Sequence, residues 1–394
     1  MKRAILLMAA ASAAAQDFSQ RGTLEYRGWF FPQTTANDSG HAVGEALFRY
    51  EFSRTLIGPL KLFGTTETRT DTHRQAERRF YVNFGDRRLQ RPAFSIRRAS
   101  VQYSRGRFSA EAGKQLIRWG KADILNPTDR FAPRDFLWVV DTQFLGVLAA
   151  RAVWETPSDS VEVVLQPRFT PSRLPLINQR WSNIPAAVQE LEPRYPGGVQ
   201  YGLRWNHLGD GYEASLSYYD GHHHLPLFTI ENGGVRRFFP QLRTYGADAA
   251  VPLPWLTIKG EAAYFTSKTV QADEYVIYVL QAERQIGEAS VVAGYAGERV
   301  TKRRNPFDFA PDRGLARSFL GRAGYTVDPR RSVAAEWAIR QNGDGVWTRF
   351  EYSQAFRKNW RAIAGYTLIR GEPSDFLGQY RRNSNFSLIF RYSF

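Results

Sequence analysis

At the end of the chain Phe386, Leu388, Phe390, Tyr392 and Phe394 fall on one parity, and Ser387, Ile389, Arg391 and Ser393 on the other. Successive side chains of an extended strand point to opposite faces, so this spacing writes one apolar face and one mostly polar face onto a single strand. The pattern recurs along the chain. Val199, Tyr201, Leu203 and Trp205 alternate with Gln200, Arg204 and Asn206, and Val333, Ala335, Trp337 and Ile339 alternate with Glu336 and Arg340. Trp360, Ala362, Ala364, Tyr366 and Leu368 stand against Arg361 and Thr367 in the same way. Strands are expected near 22–32, 42–54, 57–69, 93–104, 106–117, 142–155, 159–169, 198–209, 211–221, 239–251, 255–267, 274–286, 287–298, 315–326, 330–342, 345–356, 358–369 and 382–394, eighteen in all. Most reach the roughly 9–11 residues that a tilted strand needs to cross a bilayer, with Trp or Tyr near their ends.

Alternation alone fits a soluble sandwich as well as a barrel. The connections separate the two. After even-numbered strands they are brief, at Thr55–Leu56, Arg105, Pro157–Ser158, Asp210, Pro252–Trp255, Gly287, Asp328–Arg330 and Lys358. After odd-numbered strands they are mostly long, notably at 70–92, 118–141, 170–197, 222–238, 299–314 and 370–381, with Asn342–Gly345 the main short exception. A sandwich has no reason for that asymmetry, whereas outer-membrane barrels have short periplasmic turns and long external loops. The expected fold is therefore all-β: a closed antiparallel transmembrane β-barrel of about 18 strands with an inward-folded loop.

Composition agrees by exclusion. The mean hydropathy of −0.43 and the absence of a second long apolar run argue against membrane helices. Zero Cys removes disulfide frameworks, thiolate zinc sites, Cys nucleophiles and a lipidated Cys. Lys2 and Arg3 precede the apolar run 4–11, and Ala13, Ala14 and Ala15 offer a small-residue cleavage site, so 1–15 reads as a signal peptide and 16–394 as one barrel domain. Cleavage there removes Lys2 and Arg3 and lowers the net charge from +15 to +13. The expected location is the outer membrane of a Gram-negative-type bacterium.

With apolar positions facing lipid, the opposite parity lines the lumen. It carries both signs of charge: Arg151, Arg168, Arg204, Lys259, Glu261, Glu283, Arg322, Glu336, Arg340, Arg349, Glu351 and Arg361. Many of these are expected to pair across strands, and the basic excess points toward anionic solutes. Arg74, Arg78, Arg79, Arg87, Arg88 and Arg91 share one external loop, where guanidiniums suit lipopolysaccharide phosphates. A barrel this wide needs something to narrow it. The 118–141 connection is the candidate, and Arg118, Lys121, Asp123, Asp129, Arg130, Arg134 and Asp135 are its expected constriction residues.

Two segments resemble known families. Leu388–Phe394, ending in an aromatic residue with another two before it, looks like the closing strand that outer-membrane barrels present to the barrel-assembly machinery, which makes Tyr392 and Phe394 the implied assembly signal. The run Trp119-Gly120-Lys121-Ala122-Asp123-Ile124-Leu125-Asn126-Pro127-Thr128-Asp129 is similar to the W-G-x-x-D-x-L-N-P-x-D segment of a poorly characterised porin-like barrel family, broadly akin to alginate-export barrels. The resemblance implies an outer-membrane channel and leaves the cargo open.

The expected function is a passive channel or exit port for small or oligomeric anionic solutes, without a cofactor and without nucleic-acid binding. The alternatives are a surface binding or adhesion protein anchored by its barrel, or an outer-leaflet enzyme. Against the last, no G-x-S-x-G or H-E-x-x-H occurs. The run His222-His223-His224 reads as a solvated loop, since only His222 and His224 would align to hold zinc or copper.

Overall fold

The computed structural model describes residues 18–80, 82–304 and 311–394. The signal peptide expected at 1–15 lies outside them. Eighteen strands form the wall: β1 Phe18–Phe30, β2 Ala42–Thr55, β3 Leu60–Asp71, β4 Phe94–Arg105, β5 Phe108–Gln115, β6 Val147–Glu155, β7 Asp159–Gln166, β8 Gln200–Gly209 and β9 Tyr212–His222 complete one half. The other half is β10 Gln241–Pro252, β11 Thr257–Thr266, β12 Glu274–Ile286, β13 Ala289–Lys302, β14 Ser318–Asp328, β15 Arg331–Arg340, β16 Gly345–Phe356, β17 Trp360–Gly371 and β18 Asn385–Ser393. Each pairs antiparallel with its sequence neighbour, and β18 pairs with β1, so the sheet has no free edge. Gly22 and Phe394 exchange backbone hydrogen bonds of 2.9 and 3.0 Å at the seam. The Phe394 ring lies over Gly22, where a Cβ would collide with it.

The even connections are short turns and the odd ones mostly long loops, with 341–344 the short exception that the sequence predicts. Most boundaries move by a few residues, and two of the shifts have a local cause. β3 starts at Leu60 rather than 57, because Ile57-Gly58-Pro59 is spent on a turn in which Gly58 has φ +53°. β6 starts at Val147 rather than 142, because Gln143–Phe144 pairs with Arg134–Asp135 inside the preceding loop. A bulge opposite Thr65 and Thr66 turns both Arg97 and Arg98 inward, where they reach Glu67 and Glu111.

Outward positions keep their apolar side chains uncovered: Leu24, Phe48, Leu216, Leu280, Phe386, Leu388 and Phe390 are all exposed. Water would penalise such a continuous band. Inside, the loops supply the core. One cluster joins Ile117, Trp119, Leu125 and Phe131 to wall residues of β6 through β15. A second joins Trp138 and Trp181 to Trp29, Phe31 and Tyr380, with Trp29 and Trp138 ring centroids 4.3 Å apart.

Candidate functional site: a lumen narrowed by an inward loop

The connection from β5 to β6, residues 116–146, folds into the barrel because the wall has been shaped to receive it. Gly202 on β8 leaves a gap for two rings: a Cβ there would lie 2.5 Å from Trp119 and 2.6 Å from Phe131. The two rings meet edge to face at 5.2 Å, and Phe131 meets Tyr219 the same way at 5.1 Å. Each buried aromatic contributes roughly 1.5–3 kcal/mol of burial. The indole N–H of Trp119 donates to Glu162 at 2.8 Å, so its polar atom is satisfied.

Polar wall residues hold the backbone of the same loop. Glu261 accepts from the amides of Lys121, Ala122 and Thr128 and from the Thr128 hydroxyl, at 2.8 to 3.0 Å. Gln281 accepts from the Asp123 amide at 3.0 Å. Lys259 bridges Asp123 at 3.1 Å and Glu283 at 2.7 Å. A loop with so many amides unpaired by regular structure needs this many acceptors to be buried.

The result is a cavity of about 370 Å³ between this loop and the opposite wall. Asp123, Asp129, Arg130, Arg134 and Asp141 face it from the loop, and Arg322, Glu336, Trp347 and Arg349 from β14, β15 and β16. Four other loops complete the rim through Ser172, His223–Leu225, Leu315 and Phe376–Leu377.

Of the seven expected constriction residues, Asp123, Asp129, Arg130 and Arg134 line the cavity and three do not. Arg118 folds back on its own loop, 3.2 Å from Asp129 and with its guanidinium over the Phe144 ring. Lys121 turns to the wall and pairs with Glu213 and Asp248. Asp135 is fully buried between Arg91 at 2.8 Å and Arg173 at 3.2 Å. Burial opposes ionisation of Asp135, but the guanidiniums of Arg91, Arg173 and Arg69 override it and hold its carboxyl well below the usual carboxylate range.

The expected lumen-lining residues divide as well. Arg151 pairs with Glu162, Arg204 with Asp248, Arg322 with Glu336, and Arg349 with Glu351 and Asp141. Arg340 binds Asp375 of the β17–β18 loop, and Arg361 donates to Ser353. Arg168 leaves the wall: it lies past the end of β7, against Gly85 and near Arg87.

Arg130 differs from these. It is 9% exposed, its guanidinium rests over the Phe265 ring, and its Nε has no hydrogen-bond partner. No carboxylate lies within ion-pairing distance of it among the described residues. The cavity therefore presents one buried guanidinium whose charge is not cancelled by contact.

Three features escaped sequence reasoning. A ladder of ion pairs crosses the inner face from β18 over β1 and β2 to β3: Arg391 to Glu25, Arg27 to Glu45, Arg69 to Glu45 and Glu67, and Arg49 to Glu67. The Glu25-x-Arg27 and Glu67-x-Arg69 spacings carried that signal. A small sheet of Glu190–Arg194, Gly234–Phe238 and Leu227–Glu231 joins two outer loops. The histidine run is not a solvated loop. His224 is buried, stacked on Phe169, with Nδ1 2.7 Å from the Thr170 carbonyl and Nε2 2.6 Å from the Arg130 carbonyl. Both nitrogens face carbonyl oxygens, and the neutral ring donates its single N–H to one of them, which ties the inward loop or the β7–β8 loop to the ring stacked between them. The arginine cluster of the 70–92 loop is also divided. Arg91 is buried with Asp135, Arg87 donates to the Phe169 carbonyl and Arg88 pairs with Glu77, while Arg74, Arg78 and Arg79 are exposed.

No protein-family model and no curated protein matches the chain. Solved structures do. A BenF-like porin from Pseudomonas fluorescens Pf-5 is 10% identical, with a TM-score of 0.56 over 96% of this chain and 98% of that one. OccAB3 of Acinetobacter baumannii is 12% identical, with a TM-score of 0.54 over 96% and 99%. OccK3 of Pseudomonas aeruginosa is 11% identical, with a TM-score of 0.54 over 98% of each. The fold is thus that of a porin-like barrel of eighteen strands.

Proposed function

We propose that the protein is an outer-membrane channel of a Gram-negative bacterium that passes small anionic solutes by passive diffusion. The observation that carries this reading is the cavity beside the inward loop, mixed in charge and lined by Arg130 without a carboxylate partner. Fixed charge in a narrow low-dielectric passage acts on an ion far more strongly than the same charge on an outer rim. The neutralised pairs around it keep the wall wet without adding net field. A cavity of about 370 Å³ suits a small solute better than a folded polymer segment. The resemblance of the Trp119–Asp129 segment to alginate-export-type barrels belongs to this reading, and so does a transport role without catalysis or cofactor. Tyr392 and Phe394 at the closing seam serve the barrel-assembly machinery on the same view.

Reconstitution in planar bilayers tests it. Discrete ohmic steps, with a reversal potential toward the anion equilibrium in a salt gradient, are expected. Folded, inserted protein that gives no steps would transfer the function to the outer loops as a surface anchor.

A further inference from the structure

On the outward face, β9, β10 and β11 carry a row of three paired tyrosines, Tyr218, Tyr245 and Tyr264, in direct register. Tyr218 and Tyr245 ring centroids are 5.3 Å apart. Below the row lie Leu216, Ala247 and Ala262, and an aromatic row over an apolar band marks the membrane–water boundary in barrels. One pair further out the register reads Asp220, Arg243 and Thr266. These share the tyrosines' parity, so they face outward at headgroup level.

At that level the outer surface is recessed. A cavity of about 90 Å³ is lined by Gln241, Arg243, Thr266, Ser267 and Lys268. Its floor is fixed. Ser267 Oγ donates to the Gln241 carbonyl at 2.5 Å, the Gln241 amide donates to Thr269 Oγ1 at 3.1 Å, and Arg304 binds the carbonyls of Ser267, Thr269 and Ala272. Arg243 engages Asp220 through Nε at 2.7 Å, which leaves its terminal amino groups for another acceptor. Lys268 is exposed and has no acidic partner among the described residues. The recess therefore holds two cations, of which Arg243 is shared with the Asp220 carboxylate outside it, with the Thr266 hydroxyl and the Gln241 carboxamide beside them.

We propose that this recess binds a phosphate of the outer-leaflet glycolipid, the lipid A part of lipopolysaccharide, with Arg243 and Lys268 on the phosphate oxygens and the acyl chains lying over Tyr218, Tyr245 and Leu216. Guanidinium and ammonium groups are the natural partners of a phosphate, and a tetrahedral anion also accepts from hydroxyls. The site is on the lipid face, away from the lumen. It rests on the membrane placement proposed above and not on conduction.

Native mass spectrometry of the intact, folded barrel tests this with three probes: bisphosphorylated lipid A, its fully dephosphorylated counterpart, and inorganic phosphate. Wild type should retain lipid A and not the dephosphorylated lipid. Arg243→Ala combined with Lys268→Ala should weaken retention by at least about tenfold, equivalent to ~1.4 kcal/mol, with unchanged conductance and heat-modifiable mobility. Arg105→Ala combined with Arg357→Ala, which removes the same charge from exposed turns at the opposite end of the barrel, should not. Equal retention by the double Arg243/Lys268 variant overturns the proposal. So does competition by inorganic phosphate, which would make the recess a free-anion site rather than a lipid site. Wild type that retains lipid A but does not conduct would instead count against the channel reading alone.

Discussion

Glu261 on β11 receives both the backbone amide and the hydroxyl of Thr128, each at 2.8 Å, and the same carboxylate receives two further amides of the inward loop. One wall residue thus fixes both ends of the loop's central turn. Glu261→Ala leaves three amides without an acceptor in a buried place. At about 1.5–3 kcal/mol for each hydrogen bond to a charged group, loop docking should be lost while the wall survives. Larger, noisier single-channel currents with unchanged heat-modifiable mobility are the expected outcome; currents identical to wild type would mean the loop is held otherwise.

Gly202 should be far less replaceable than Gly260. A Cβ at Gly202 meets Trp119 and Phe131 at 2.5 to 2.6 Å, whereas one at Gly260 meets nothing within 4 Å. Gly202→Val should therefore cost about 1–3 kcal/mol by overpacking and displace the loop. Gly260→Ala should be neutral in the same urea titration. A larger cost at Gly260 would refute the assignment of Gly202 as the loop's seat.

Acid should loosen the inward loop through His224. Burial pushes this imidazole down to about 4, against pulls from the Arg130 and Thr170 carbonyls. The undocked ring titrates near about 6.5, so between these values the undocked state binds the extra proton. Docking is at full strength above pH ~6.5 and weakens as pH falls toward ~4, by up to about 3 kcal/mol. Asp135, whose carboxyl is held low, adds its own loss only at pH below ~3.9. Amide exchange across 116–146 should quicken over the upper window in wild type and lose that dependence in His224→Gln. Exchange that is flat from pH 7 to 4 in wild type would contradict this.

Leu388 on β18 points outward and Ile389 inward. Leu388→Arg should destabilise by roughly 2–4 kcal/mol if it lies near the bilayer midplane, while Leu388→Phe should be close to neutral. A tolerated arginine would invert the parity of the whole wall, since one register fixes every face.

How the wall could be read in advance follows from these same residues. The alternation at Phe386–Phe394 is a local signal, and the inside–outside assignment of Leu388 and Ile389 needs nothing else. The short turns are equally local, each marked by Gly, Pro, Asp or Asn. The inward loop was legible as a dense, mixed-charge stretch, but the direction of each charge was not. Lys121 turns to Asp248 and Asp135 to Arg173 because partners distant in sequence lie there, and spacing along one segment does not record them. His224 shows the same limit: its partners are carbonyls of Thr170 and Arg130, which any residue type supplies.

On the function proposed above, Arg130 sets the selectivity of the passage beside the inward loop. Its most direct test is the reversal potential in a salt gradient for wild type, Arg130→Gln and Arg78→Gln. Wild type and Arg78→Gln should favour anions equally, because a rim charge is screened within about 8–10 Å by salt. Arg130→Gln should shift the potential toward cations. A shift that is the same for both variants, or absent from Arg130→Gln, would contradict the account.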